Sequence, residues 1–125
     1  MKYLYNQSVS PPAPFVKLIV ADPTDSTRQI TVDAQIDSAA DISTLPNSIV
    51  EQLELPVSGS LEIAGYDGNP SIVTLRDAVL ILDKFKFSGA RIVPTNADYA
   101  LLGRDVINFL RLVLDGPALT LEILD

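Results

Sequence analysis

The chain contains no cysteine and no histidine. Without cysteine there is no disulfide framework, no thiol nucleophile and no thiolate metal site. Without histidine, Ser-His-Asp and Cys-His catalysis are excluded, and so are the usual zinc sites. Positive charge is scarce: 9 Lys and Arg against 16 Asp and Glu give a formal net charge of −7. The cations are scattered with no basic stripe, so the field that phosphate binding requires is missing and no nucleic-acid partner is expected. Long apolar runs are missing too. No stretch approaches the roughly 18 uninterrupted apolar residues of a membrane span, and Met1 to Ser8 lacks the apolar core of a secretory signal. A cytoplasmic protein with no membrane contact is the expectation. Any catalysis must use carboxylate, Lys, Tyr, Ser or Thr side chains.

What is present is ordinary for a folded domain: 125 residues, 47% of them hydrophobic, with 9 prolines and 6 glycines spread along the chain. That length closes one modest core. Residues 1–14 read as an extended lead-in ending in Ser10-Pro11-Pro12-Ala13-Pro14, because proline fixes φ and removes donors. Residues 15–125 read as the domain proper. Phe15 to Val20 is strand-like, and Asp22 to Ser26 has turn composition. Ile30, Val32, Ala34 and Ile36 then alternate with Gln29, Thr31, Asp33 and Gln35, the period of a half-buried strand. This strand runs directly into Asp37.

Pro46 to Leu53 reads as a short helix, with Ile49, Val50 and Leu53 on one face. Leu61 to Ile63 and Ser71 to Leu75 look like arms around Gly65-Tyr66-Asp67-Gly68-Asn69-Pro70, whose composition suits a tight hairpin tip. Val79 to Leu82 and Phe85 to Phe87 form another expected hairpin. Arg91 to Val93, Ala100 to Leu102, Leu112 to Leu114 and Leu119 to Leu124 are further short strands, and Asp105 to Leu110 fits a second helix. Many short strands with one or two small helices predict an all-β barrel or sandwich.

Ile36-Asp37-Ser38-Ala39-Ala40-Asp41 alone has the composition of a turn. Its specificity comes from a second segment, Leu101-Leu102-Gly103-Arg104-Asp105, which also joins a strand to a helix. Together they resemble the paired signature of retropepsin-like aspartic proteases, in which a strand leads into Asp-Thr/Ser-Gly-Ala-Asp and a later Leu-Leu-Gly-Arg-Asp/Asn precedes a short helix. The resemblance runs from about Val16 to Ile123. It implies a closed acid-protease β-barrel with a flap hairpin and an active site shared by a homodimer.

By that resemblance Asp37 is the catalytic carboxylate, and Ser38 offers its hydroxyl to the partner chain beneath the two aspartates. Ala39 and Ala40 complete the loop, while Asp41 helps to bind substrate backbone and pairs with Arg104. Gly65, Tyr66, Asp67 and Gly68 form the flap tip, and Gly103 permits close packing at the strand-to-helix junction beside Asp105. Leu119 to Leu124 interleaves with its twin. No cofactor is implied. Asp33, Asp37 and Asp41 fit no metal-loop spacing, so no metal is expected.

Carboxylate hydrolysis of a peptide needs one ionised group to activate water and one protonated group to polarise the carbonyl. Only Asp37 follows a comparable strand into small residues, so its partner has to come from a second copy. The expected partners are therefore another copy of the chain and a peptide or protein substrate. One departure stands out: Ala39 occupies the position where the family usually has glycine. A positive φ there would cost on the order of 1 kcal/mol, and the added methyl would narrow the cleft. A silent module that keeps the fold for dimerisation or peptide binding is the competing reading.

Overall fold

A computed structural model describes residues 1–64 and 68–125. Among these residues, ten strands and two short helices follow one another as β1 (Lys2–Leu4), β2 (Phe15–Asp22), β3 (Asp25–Ile36), β4 (Thr44–Pro46), α1 (Asn47–Gln52) and β5 (Val57–Ala64). β6 (Pro70–Leu82), β7 (Phe85–Thr95), β8 (Ala100–Leu102), α2 (Arg104–Ile107), β9 (Arg111–Asp115) and β10 (Thr120–Leu124) complete the order.

Seven strands form a sheet in the order β2-β3-β8-β4-β7-β6-β5. β2 also pairs with β6, through Ile19↔Ile81, Val20↔Leu80 and Ala21↔Val79. The ring β2-β3-β8-β4-β7-β6 is thereby closed, and β5 is attached to it through β6 alone. Leu18, Val20, Ala34, Leu45, Leu80, Leu82, Ile92 and Leu102 are fully buried at its centre. Each leucine or isoleucine withdrawn from water contributes roughly 1.5–3 kcal/mol. The alternation in β3 does its work here, with Val32 and Ala34 buried and Thr31 and Asp33 exposed.

Two pairs of expected short strands are each one long strand. Ser71 to Leu75 and Val79 to Leu82 belong to the 13-residue β6. Arg76 and Asp77 interrupt the apolar pattern, yet the Arg76 guanidinium donates to the Leu55 carbonyl (2.9 Å) and the Asp77 N–H to that of Pro56 (2.9 Å). The polar pair is tied to a neighbouring segment instead of turning the chain. Phe85 to Phe87 and Arg91 to Val93 are likewise joined in β7. Gly89, at φ +77°, marks a bulge there in place of a break: Phe87 pairs with Leu80 and Ala90 with Ala78, so Ser88 and Gly89 face Val79 together. Glycine supplies the positive φ that such a bulge requires. α2 is shorter than its sequence pattern, and Pro46 ends β4 just before α1.

The second sheet has the order β1-β10-β9. Lys2–Leu4, within the stretch read as a lead-in, is hydrogen-bonded along β10, and Asn6 bridges Ala13. Both edges of β10 are thus filled inside the chain. Interleaving of this strand with a twin would require β1 or β9 to give way. Its Leu121 and Ile123 are buried against the barrel. No helix among the described residues is long and apolar enough to cross a membrane.

Candidate active site

β3 and β8 run parallel and adjacent, with Ala34↔Ala100, Gln35↔Leu101 and Ile36↔Leu102 in register. Two segments separated by more than half the chain therefore end side by side, and the loops that follow them meet. The Asp37 N–H donates to the Leu102 carbonyl (3.0 Å), extending the ladder by one step, and the Ala40 N–H donates back to the Asp37 carbonyl (3.2 Å). Asp37 Oδ1 accepts the Ala39 N–H (3.0 Å). The carboxyl is half-buried and held by its own loop, and its second oxygen accepts no hydrogen bond from the described residues.

The loop is clamped from the α2 side. The Arg104 N–H donates to the Ala40 carbonyl (2.9 Å), and Arg104 Nη1 to the Ser38 carbonyl (2.8 Å). Arg104 Nη2 is ion-paired with Asp41 Oδ1. One guanidinium thus fixes both ends of the Ser38-to-Asp41 turn through a two-pronged geometry that lysine cannot reproduce. Gly103 sits beneath. A Cβ there would lie 2.8 Å from the Ala40 oxygen and 3.0 Å from the Ile42 carbonyl carbon. These are backbone atoms that cannot rotate away, so the junction tolerates only glycine.

Ser43 is the residue that sequence reading missed. It is 1% exposed and joins three segments. Its hydroxyl accepts the Gly103 N–H (3.0 Å) and donates to Asp105 Oδ1 (2.8 Å). Its own N–H donates to Asp105 Oδ2 (3.0 Å), and its carbonyl accepts the Val93 N–H (3.1 Å). The available signal was weak: Ser43 and Thr44 are two adjacent hydroxyls between Ile42 and Leu45, and nothing local marks which is buried. Buried polar groups persist where they are bonded.

Ala39 is not among the residues with positive φ, which outside glycine are Glu54, Asp83 and Leu119. Its backbone therefore carries no left-handed strain, and the methyl group costs only space. It lines a cleft of about 570 Å³ with Asp41, Ile42, Thr44 and Val93 on one side and Leu61 to Ala64 of β5 on the other. The Ser38 side chain is exposed beside it. Gly65, Tyr66 and Asp67 lie outside the described residues. Gly68 takes φ +78° with open space around it, a turn geometry suited to glycine. Among the described residues no three acidic side chains converge on a point that could hold a metal ion. Asp33 instead pairs with Lys17.

No family model matches the sequence, and no curated protein matches it. Solved structures do match. The protease of simian foamy virus (mac) superposes with a TM-score of 0.58 at 17% identity, covering 76% of this chain and 92% of that one. The EIAV protease complexed with the inhibitor HBY-793 gives 0.58 at 16%, covering 78% and 86%. A retropepsin-like aspartic protease from Rickettsia conorii gives 0.67 at 13%, covering 98% and 88%. At such identities the likeness is one of fold.

Proposed function

From the retropepsin fold of this chain, we propose that it is an aspartic endopeptidase whose working unit is a homodimer. Each copy contributes Asp37, and an extended peptide binds in the cleft between β5 and the Asp37 loop. The observation that carries the reading is the hydrogen-bonded placement of the Asp37 loop on the end of β8. The same loop carries a half-buried Asp37 carboxyl and, two residues on, Ala39 in the lining of the cleft of about 570 Å³.

The chemistry follows from pairing. Two carboxylates at contact cannot both ionise, a general property of aspartic dyads. The ionised member takes a proton from water as the water attacks the scissile carbonyl. The protonated member donates to the carbonyl oxygen, giving a tetrahedral diol that collapses as a proton passes to the leaving amine. Arg104, Ser43 and Gly103 hold the loop still, so Asp37 meets substrate without reorganising. Among the described residues the exposed Ser38 hydroxyl has no partner, and a second copy would supply one.

The test is cleavage of a broad peptide library by purified protein, from mildly acid to neutral pH. Product is expected on the acid side, inhibited by a statine-type transition-state mimic and absent in Asp37→Asn. Absence of product throughout would end the endopeptidase reading. The methyl of Ala39 in the cleft, together with both edges of β10 being filled, favours one alternative: a silent peptide-binding module. It predicts peptide binding that Asp37→Asn leaves unchanged, with no product.

A further inference from the structure

A second cleft, of about 790 Å³, lies against the first and shares Ile42 and Leu61 with it. Leu75, Phe87, Ala90, Val106 and Phe109 supply apolar walls, and Lys86 and Arg91 supply charge. We propose that this cleft is a distal substrate subsite that takes an acidic residue next to a large apolar one, from the peptide chain that also occupies the cleft beside Asp37. The inference rests on the peptide-binding reading of that first cleft and adds to it the sequence class of the substrate.

Three observations point the same way. The first is charge. Among the described residues the Lys86 and Arg91 side chains make no hydrogen bond or ion pair, whereas Lys2, Lys17, Arg28, Lys84 and Arg104 are each paired with carboxylates. Of the 9 Lys and Arg, Arg76 and Arg111 also lack a carboxylate partner among the described residues, but neither lines this cleft. Asp105 also lines the cleft, but both its oxygens are occupied by Ser43. The cleft keeps a positive balance, while the neighbouring one carries Asp41 and Glu62.

The second is the backbone. Five residues apart, Lys86 and Arg91 would point to opposite faces of a regular strand. The bulge at Ser88 and Gly89 resets the alternation and puts both on one face of β7, opposite Ile81 and Asp77, along the stretch that borders the cleft. The third is Phe109, 73% exposed beside Phe87 at a ring-centroid distance of 6.2 Å. An aromatic ring left in water at the mouth of an apolar cleft gains by being covered. Continuity through Ile42 and Leu61 makes the substrate itself the occupant.

The experiment uses two readouts. Backbone amide shifts are followed by NMR while the Asp37→Asn protein is titrated with acetyl-Gly-Asp-Leu-Glu-Phe-Gly-amide, and with the same peptide carrying Lys for Asp and Glu. Shifts centred on residues 86–91 and Phe109 are expected with the acidic peptide. They should weaken with added salt, since exposed charges are screened, and should vanish in K86E/R91E and in F109S. No shift there, or equal binding of the Lys peptide, overturns the proposal. In the active protein, a cleaved library peptide is extended by four residues at either end, a reach of ~13 Å. An acidic, leucine-containing extension at one end should lower KM roughly tenfold relative to its Lys counterpart, with the preference reversed in K86E/R91E. Equal KM for the two extensions overturns the shared occupancy. If the library gives no product while the amide shifts persist, the endopeptidase reading alone fails.

Discussion

The floor and the roof of the cleft beside Asp37 are built on different terms. The floor, residues 37–43 with 102–105, is a set of short loops, normally the mobile part of a protein. Here every turn is tied: Asp37 to Leu102, Ala40 to Arg104, Ser43 to Gly103, Asp105 and Val93. The roof strand β5 is regular structure, normally the rigid part. Yet it pairs only with β6, and most of its side chains are exposed. Hydrogen bonds to buried groups, not the class of secondary structure, decide which side holds its shape. On the proposed reading, a rigid floor would keep the carboxyl in position and a lightly anchored roof would adjust to different peptides.

Substitutions can break or sharpen this contrast. Asp37→Asn should lower the cleavage rate by at least ~10²-fold with an unchanged thermal midpoint, because asparagine Oδ1 can still accept the Ala39 N–H; a library assay and a melting curve check both. Gly103→Val should destabilise the chain by about 3 kcal/mol, read from urea unfolding, since the new atoms meet fixed backbone. Ser43→Ala strands a buried N–H and should cost about 1–3 kcal/mol. Ser43→Thr should restore most of it. Ala39→Gly should destabilise by roughly 0.4–1 kcal/mol through the freer unfolded chain, while enlarging the cleft and relaxing selectivity for bulky side chains. In the roof, Ile63→Ser in β5 and Ile72→Ser in the stretch of β6 paired with it should move stability by less than ~0.5 kcal/mol and appear mainly in KM. A loss from the roof pair as large as that from Ser43→Ala would erase the distinction.

Much of this was legible in the sequence, and the misses have physical causes. The alternation in Gln29 to Ile36 placed β3, because one face is buried and the other wet. The two motif segments were readable as neighbours only because their residue types resemble a known pairing; nothing local to Ile36 or Leu102 states that they run in parallel. β6 and β7 were split because polar or small residues in mid-strand look like turns until their tertiary partners are known. Ser43 stayed hidden for the same reason, since its burial depends on Gly103 and Asp105, some 60 residues away in sequence. Ala39 was suspected of strain because glycine's absence is visible in a sequence and φ is not.

Closing the ring through β2 and β6 also bears on how copies of this chain can accumulate. The barrel offers no open rim on which strands could stack without limit. Among the described residues, the unpaired strand borders belong to β1, β5 and β9. Each carries charge, at Lys2, Glu62, and Arg111 with Asp115. Charged borders resist endless sheet growth and fibre formation, so open-ended stacking of copies edge to edge is disfavoured.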